Sequence, residues 1–186
     1  MTMSTIELPG LATGTWTIDP VHSEVGFVVR HLMVSKVRGT FKTFQGTITI
    51  ADDPLDSKVE AAIDASSVDT RDEQRDAHLR SSDFFEVEKH PRIVFVSKEV
   101  RPSGGDYIVA GDLTIHGVTR PVDLALEFNG VSSDPWGGVR AGFSGRTEIS
   151  RSDFAIEFNV PLDAGGVLVG DKIGITLEVQ AVLDKD

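Results

Sequence analysis

A chain of 186 residues, 40% hydrophobic and 25% charged, has enough apolar material for one sizeable core, and that composition excludes a disordered chain. Its 29 Asp and Glu against 18 Lys and Arg leave a formal charge of −11. That field repels polyanions, which excludes nucleic acid as a partner, and it favours solubility. There is no cysteine, so disulfides and thiolate metal sites are excluded as well.

At the N-terminus, residues 1–14 show neither the basic start nor the apolar run of an export signal. They are expected to form an extension of a single domain spanning 1–186. No stretch reaches the roughly 18 uninterrupted apolar residues of a membrane span, so the cytoplasm is the expected location. Period-two alternation begins near residue 15 and dominates from there. In Glu24–His31 the odd positions Val25, Phe27, Val29 and His31 share one face. Gly46, Ile48 and Ile50 alternate with Thr47 and Thr49, and Val59, Ala61, Ile63 and Ala65 alternate with Glu60, Ala62 and Asp64.

Arg71–Leu79 interrupts this pattern with good helix formers and no Gly or Pro, and Asp69 or Thr70 stands in place to cap a short helix. Its i,i+4 pairs include the repulsive Asp72–Asp76, so charge pairing does not hold it. It is expected to dock through Leu79 and the following Phe84-Phe85. Strands are then predicted over Ile93–Ser97, Tyr107–Ile115 and Pro121–Phe128, with turns at Gly104-Gly105 and His116-Gly117. A loop at Trp136–Gly138 leads to a strand over Phe143–Arg151. The last strand, Lys172–Leu183, sets Ile173, Ile175, Leu177, Val179, Ala181 and Leu183 on one face. At about 3.3 Å per residue it runs roughly 40 Å, which makes for a tall sheet. About eight antiparallel strands and one short helix leave two architectures, a sandwich or a barrel.

No catalytic constellation emerges. The five histidines, His22, His31, His78, His90 and His116, show no metal-ligand spacing such as H-E-x-x-H. Asp19 and His22 flank Pro20 and read as turn hydrogen bonding. Gly142-Phe143-Ser144-Gly145-Arg146 fails as a nucleophile elbow because Arg146 stands at the second glycine position. No catalytic residue, metal or required cofactor is therefore assigned.

Several segments stand out together. Trp16-Thr17-Ile18-Asp19-Pro20-Val21-His22-Ser23 leads into Val25–Ser35, and Val37-Arg38-Gly39-Thr40-Phe41 and Phe44-Gln45-Gly46 follow. Next come Arg75-Asp76-Ala77-His78-Leu79-Arg80-Ser81-Ser82-Asp83-Phe84-Phe85 and His90-Pro91-Arg92-Ile93-Val94-Phe95. Gly111–Thr119 and Arg151-Ser152-Asp153-Phe154 complete the set. In order and spacing the chain resembles the YceI-like family of polyisoprenoid-binding proteins from residue 15 to about 183. The resemblance implies an all-β, eight-stranded antiparallel lipocalin-like barrel with one short helix in a connecting loop. It also implies a tunnel for a long prenyl chain, such as a prenyl quinone or prenyl phosphate.

On that footing Phe27, Val29, Phe41, Ile175 and Leu177 are candidate tunnel lining, with His31 on the face of Phe27. Arg75, Asp76 and His78 on the helix are candidates for meeting a polar head group, against the plainer reading of a solvated, mutually paired rim. Trp16 is expected to plug one end. The expected partner is an apolar small molecule, and a homodimer stays open. An enzyme acting on such a ligand, or a filled barrel that mediates protein contacts, are the alternatives to a carrier. Binding is the expectation, because the residue pattern suits a cavity and offers no acid–base pair.

Overall fold

The alternating segments close into a ring. The computed structural model describes residues 8–163 and 165–185. Its strands are β1 (Gly14–Ile18), β2 (Glu24–His31), β3 (Ser35–Phe41), β4 (Phe44–Ile50), β5 (Lys58–Asp64), β6 (Val68–Asp69), β7 (Arg92–Ser103), β8 (Asp106–Ile115), β9 (Val118–Ser133), β10 (Val139–Ser150) and β11 (Val169–Leu183). Following hydrogen-bonded neighbours gives β1-β4-β5-β7-β8-β9-β10-β11 and back to β1, a closed antiparallel barrel of eight strands. Closure leaves no free edge around this ring. The fold is the lipocalin-like barrel, with a single α-helix, α1 (Glu73–Arg80).

Two breaks shape one end. β1 and β2 run on as one strand interrupted by the 3-10 turn Pro20–His22, so that β11 pairs with β2 along its first part and with β1 at its end. Their partners β3 and β4 break at Lys42-Thr43. Beyond the breaks, β2, β3 and the two-residue β6 leave the ring as a flap at the end that also carries α1. β6 pairs with β3 only at Thr40 and Phe41.

Inward and outward residues alternate as the period-two pattern requires. In β8 every second residue from Tyr107 to Ile115 is buried. Each apolar side chain hidden this way contributes about 1.5–3 kcal/mol. The interior holds two packed clusters, one toward each end. At the helix end Phe41, Phe84, Ile115 and Phe154 pack together. At the opposite end Trp16, Ile48, Ile50, Phe143 and Ala181 do so. Trp16 is wholly buried there, and its Nε1 donates to the Ala12 carbonyl at 3.0 Å, which satisfies the one polar atom of the side chain.

Several boundaries differ from the sequence reading. The helix starts at Glu73, and its cap is Asp72, whose carboxylate accepts from the Arg75 N–H at 2.9 Å. Arg71 cannot begin a helix because it sits at φ 65°. Asp69 instead accepts from the Arg71 N–H at 2.8 Å. β3 has no counterpart among the predicted strands, since Ser35-Lys36-Val37-Arg38 are mostly exposed and carry little apolar signal. β7 and β9 extend beyond their predicted spans mainly into polar residues held by ladder bonds, while β10 begins earlier, at Val139, and brings the buried Ala141 into the core. Arg151 falls in the 3-10 turn Arg151–Phe154 rather than in a strand. Among the described residues no helix is long and apolar enough to cross a membrane. Of the N-terminal extension, residues 1–7 lie outside the described residues.

Candidate functional site

Between the two packed clusters the barrel is not filled. A cavity of about 290 Å³ is lined by Leu11 and Pro54 near one end and by Phe84 and Phe154 at the other. Its wall on β8 runs from Tyr107 to Ile115, a contour of about 26 Å at the usual rise per residue. With the usual strand tilt this is roughly 20 Å along the axis. The shape is therefore a narrow channel. Among the described residues its polar lining consists of Gln45, Ser57, Tyr107, Thr147 and Arg151, and no carboxylate or histidine lines it.

Of the residues singled out from the sequence, Phe27, Val29, Phe41, Ile175 and Leu177 all line this channel. β2 places Phe27 opposite Gly39 of β3. A Cβ at Gly39 would lie 2.3 Å from Phe27 Cζ, so only glycine lets the ring lie across β3. The ring stands 5.5 Å from that of Phe41, tilted by 45°. Phe41 in turn meets Phe85 edge-on at 5.7 Å.

A second cavity of about 120 Å³ adjoins the first and shares Phe27, Val29, Leu79, Phe84 and Val169 with it. Its other walls bring in His31, Thr70, Arg75 and His78. The channel thus abuts a small chamber that has polar and cationic residues around it but turns an almost wholly apolar surface inward. Arg75 is aimed by two bonds, from Nε to Thr70 Oγ1 and from Nη2 to the Thr70 carbonyl, each 2.7 Å. His78 stands edge-on between the rings of Phe84 and Phe158, at 5.0 and 4.9 Å, and its Nε2 lies 2.8 Å from Asp83 Oδ2.

Asp76 is different. It lines neither cavity; it is buried, and its Oδ1 accepts from Thr70 N at 2.8 Å and Thr70 Oγ1 at 2.6 Å. Its place is behind Thr70, the residue that aims Arg75. Arg151 lines the channel through its stem while its guanidinium donates to the carbonyls of Gly170, Ile156 and Val169 at 2.9, 3.0 and 3.2 Å. Burial pushes its pKa down, and Asp171 works against that shift. Asp19 and His22 form the expected turn, joined by a residue far away in sequence. His22 Nδ1 and Arg140 Nη1 each lie 2.8 Å from Asp19 Oδ2.

The sequence reading did not find Phe158 or Leu168, which line the chamber. They fall in the irregular stretch between β10 and β11, where no period marks a face. Thr70 was weighed only as a cap, and nothing in a lone threonine shows that it will carry an arginine.

A family model described as YceI-like domain matches residues 16–181. Protein YceI of Escherichia coli is 40% identical over 165 residues, 88% of this chain and 83% of that protein. Among solved structures, the chain is similar to BcnA of Burkholderia cenocepacia, with a TM-score of 0.74 and 25% identity over 88% of this chain and 98% of the other. It is also similar to a polyisoprenoid binding domain from Saccharophagus degradans implicated in plant cell wall breakdown. That TM-score is 0.70 at 17% identity, over 91% of this chain and 98% of the other, and the likeness is one of fold.

Proposed function

The chain belongs to the YceI-like family, and from that premise we propose that it binds, stores or carries a long-chain polyisoprenoid inside its barrel. The observation that carries this reading is the narrow channel, apolar along its length and joined at one end to a chamber walled by His31, Arg75 and His78. A neighbour in fold bears the description of a polyisoprenoid binding domain, which supports the same class of ligand.

The physics suits a linear chain. Each buried CH₂ contributes about 0.8 kcal/mol, so one isoprene unit brings roughly 3–4 kcal/mol relative to water. A bilayer solvates that chain equally well, so binding from a membrane needs selectivity at the head group. His31, Arg75 and His78 stand around the chamber, but the surface turned into it is almost wholly apolar, so a phosphate or quinone oxygen reaches a cation there only by drawing Arg75 from its bonds to Thr70. We read the protein as a binder rather than an enzyme: among the described residues no carboxylate or histidine lines the channel, and of the two histidines at the chamber His78 is held against Asp83.

The test is mass spectrometry of an organic extract from the purified protein, followed by titration of the delipidated protein with prenyl phosphates and prenyl quinones of increasing length. A prenyl species in the extract, or affinity that rises with chain length, is the expected result. No extracted lipid together with no binding of any prenyl ligand would sink the proposal.

A further inference from the structure

Outside both cavities, at the helix end of the barrel, the loop after α1 meets the β8–β9 turn. Glu86, His90 and His116 converge there, and one ligand atom from each lies within 4.8 Å of the other two. All three residues are half-buried. His116 Nε2 is 3.4 Å from Glu86 Oε2. The His90 and His116 rings stand edge to face with centroids 4.9 Å apart. Gly117 makes room for this, since a Cβ there would lie 2.7 Å from His90 Cε1.

The second nitrogen of His116 decides the chemistry. Nδ1 lies 3.2 Å from the Phe154 carbonyl oxygen. A carbonyl only accepts, so Nδ1 carries a proton and donates it. Nε2 then turns toward the Glu86 carboxylate, where either a second ring proton, making an ion pair, or a metal cation reconciles the two groups. The other carboxylate oxygen, Oε1, is taken by Lys89 Nζ at 3.1 Å, which leaves Oε2 turned toward His116. An imidazole oriented through its far nitrogen by a backbone carbonyl is the usual support of a metal ligand.

We propose that Glu86, His90 and His116 form a three-ligand site for a divalent transition-metal cation of the zinc class, with a further coordination position left to water. Two imidazole nitrogens and one carboxylate oxygen suit zinc, cobalt or nickel, whereas magnesium and calcium prefer all-oxygen cages. Tetrahedral bonds of zinc length set donor atoms about 3.3–3.5 Å apart. The Glu86–His116 pair already has that separation. The other pairs, within 4.8 Å, need a shift of the His90 side chain to reach it. Sequence spacing conceals the set, because His116 reaches the other two only through the β8–β9 turn.

The site bears on the channel without belonging to it. Phe154, whose carbonyl orients His116, is buried and lines the channel. Glu86 directly follows Phe84 and Phe85, which line it too. A bound cation ties these two closing segments together. This holds whatever the barrel carries.

The experiment is calorimetric titration of the full-length, chelator-treated protein with zinc chloride, alongside the visible absorption of its cobalt(II) form and melting with and without zinc. One equivalent of zinc per chain, a raised Tm and cobalt absorption of a low-coordinate site are expected. His90→Gln, His116→Gln and Glu86→Gln should each weaken binding at least about tenfold. His22→Gln, in an exposed pair with Asp19, should not. His116 also holds the Phe154 carbonyl, so its loss could disturb folding; His90→Gln and Glu86→Gln keep the test decisive. Absence of stoichiometric binding to the wild type, zinc affinity unchanged in the Glu86 and His90 variants, or an equal loss in His22→Gln would each overturn the proposal.

Discussion

Phe27 and Gly39 act as a pair: the absent side chain of one leaves the space in which the ring of the other lies. Gly39→Ala must push that ring, or Thr70 Cγ2 at 2.9 Å, toward the cavities. A stability loss in the usual overpacking range of about 1–3 kcal/mol is expected by denaturant melting. Phe27→Trp asks the complementary question, since it adds bulk to the channel wall itself. Long prenyl chains should lose affinity progressively while short ones still bind; a lower Tm with an unchanged chain-length profile would count against Phe27 as a ligand contact. Asp19 allows a pH test. The hydrogen bond from His22, then that from Arg140, holds its carboxyl at about 2 against the ordinary 3.8, with burial opposing. A pKa depressed in the folded state gives stability that is fully present above the unfolded value and is lost as pH falls through about 2. Asp19→Asn should therefore melt below the wild type at neutral pH, and the gap should close between pH 4 and pH 2. Its size is at most about 2 kcal/mol. Screening lowers that figure, because the side chain is 17% exposed and its histidine partner 58%.

At the scale of the element, α1 is a bracket more than a surface. Arg80 ties its end to the Ser66 and Val68 carbonyls at 2.9 and 3.4 Å, and Asp76 ties its middle to Thr70. Two neighbouring charges on one helix therefore predict different phenotypes. Asp76→Ala leaves the buried Thr70 donors unpaired, at a cost of about 1–3 kcal/mol each. It should lower Tm and weaken a prenyl alcohol and the matching prenyl phosphate alike. Arg75→Ala should cost the phosphate more than the alcohol in paired titrations. Equal loss of both ligands would remove Arg75 from any head-group role.

For the whole molecule, a closed ring and an open flap sit side by side. β8 to β11 pair over long stretches, with one irregularity between β9 and β10 at Gly142/Phe143, whereas β3 from Ser35 to Gly39 has a neighbour on one side only. Local opening follows such differences in pairing. Hydrogen exchange should be slowest in β8–β11 and fastest along Ser35–Gly39, and a bound ligand should slow it at β2, β3 and α1. Uniform protection around the barrel would contradict the looser pairing of β3, and ligand-induced protection confined to the Trp16 end would contradict a head group held beside α1.

Alternation along single strands was enough to name the faces of β2, β4, β5 and β11. Ile175 and Leu177 could be set on the same side as Ile173 before any fold was known, because each strand residue's side is fixed by its own backbone. The runs around Trp16, His90 and Arg151 likewise carried the family, since local order and spacing survive in a linear text. What the sequence could not say is what meets across the barrel, because ring closure depends on pairings between distant segments such as Trp16 with Leu183. Arg75, Asp76 and His78 read as one charged cluster, yet helix rotation and the position of Thr70 sent Asp76 into the core and the other two to the chamber. Arg140 joined Asp19, and His116 joined Glu86 and His90, across separations that no local period records. The chain's own chemistry settles what one strand shows to either side; only long-range pairing decides which of those sides share a cavity.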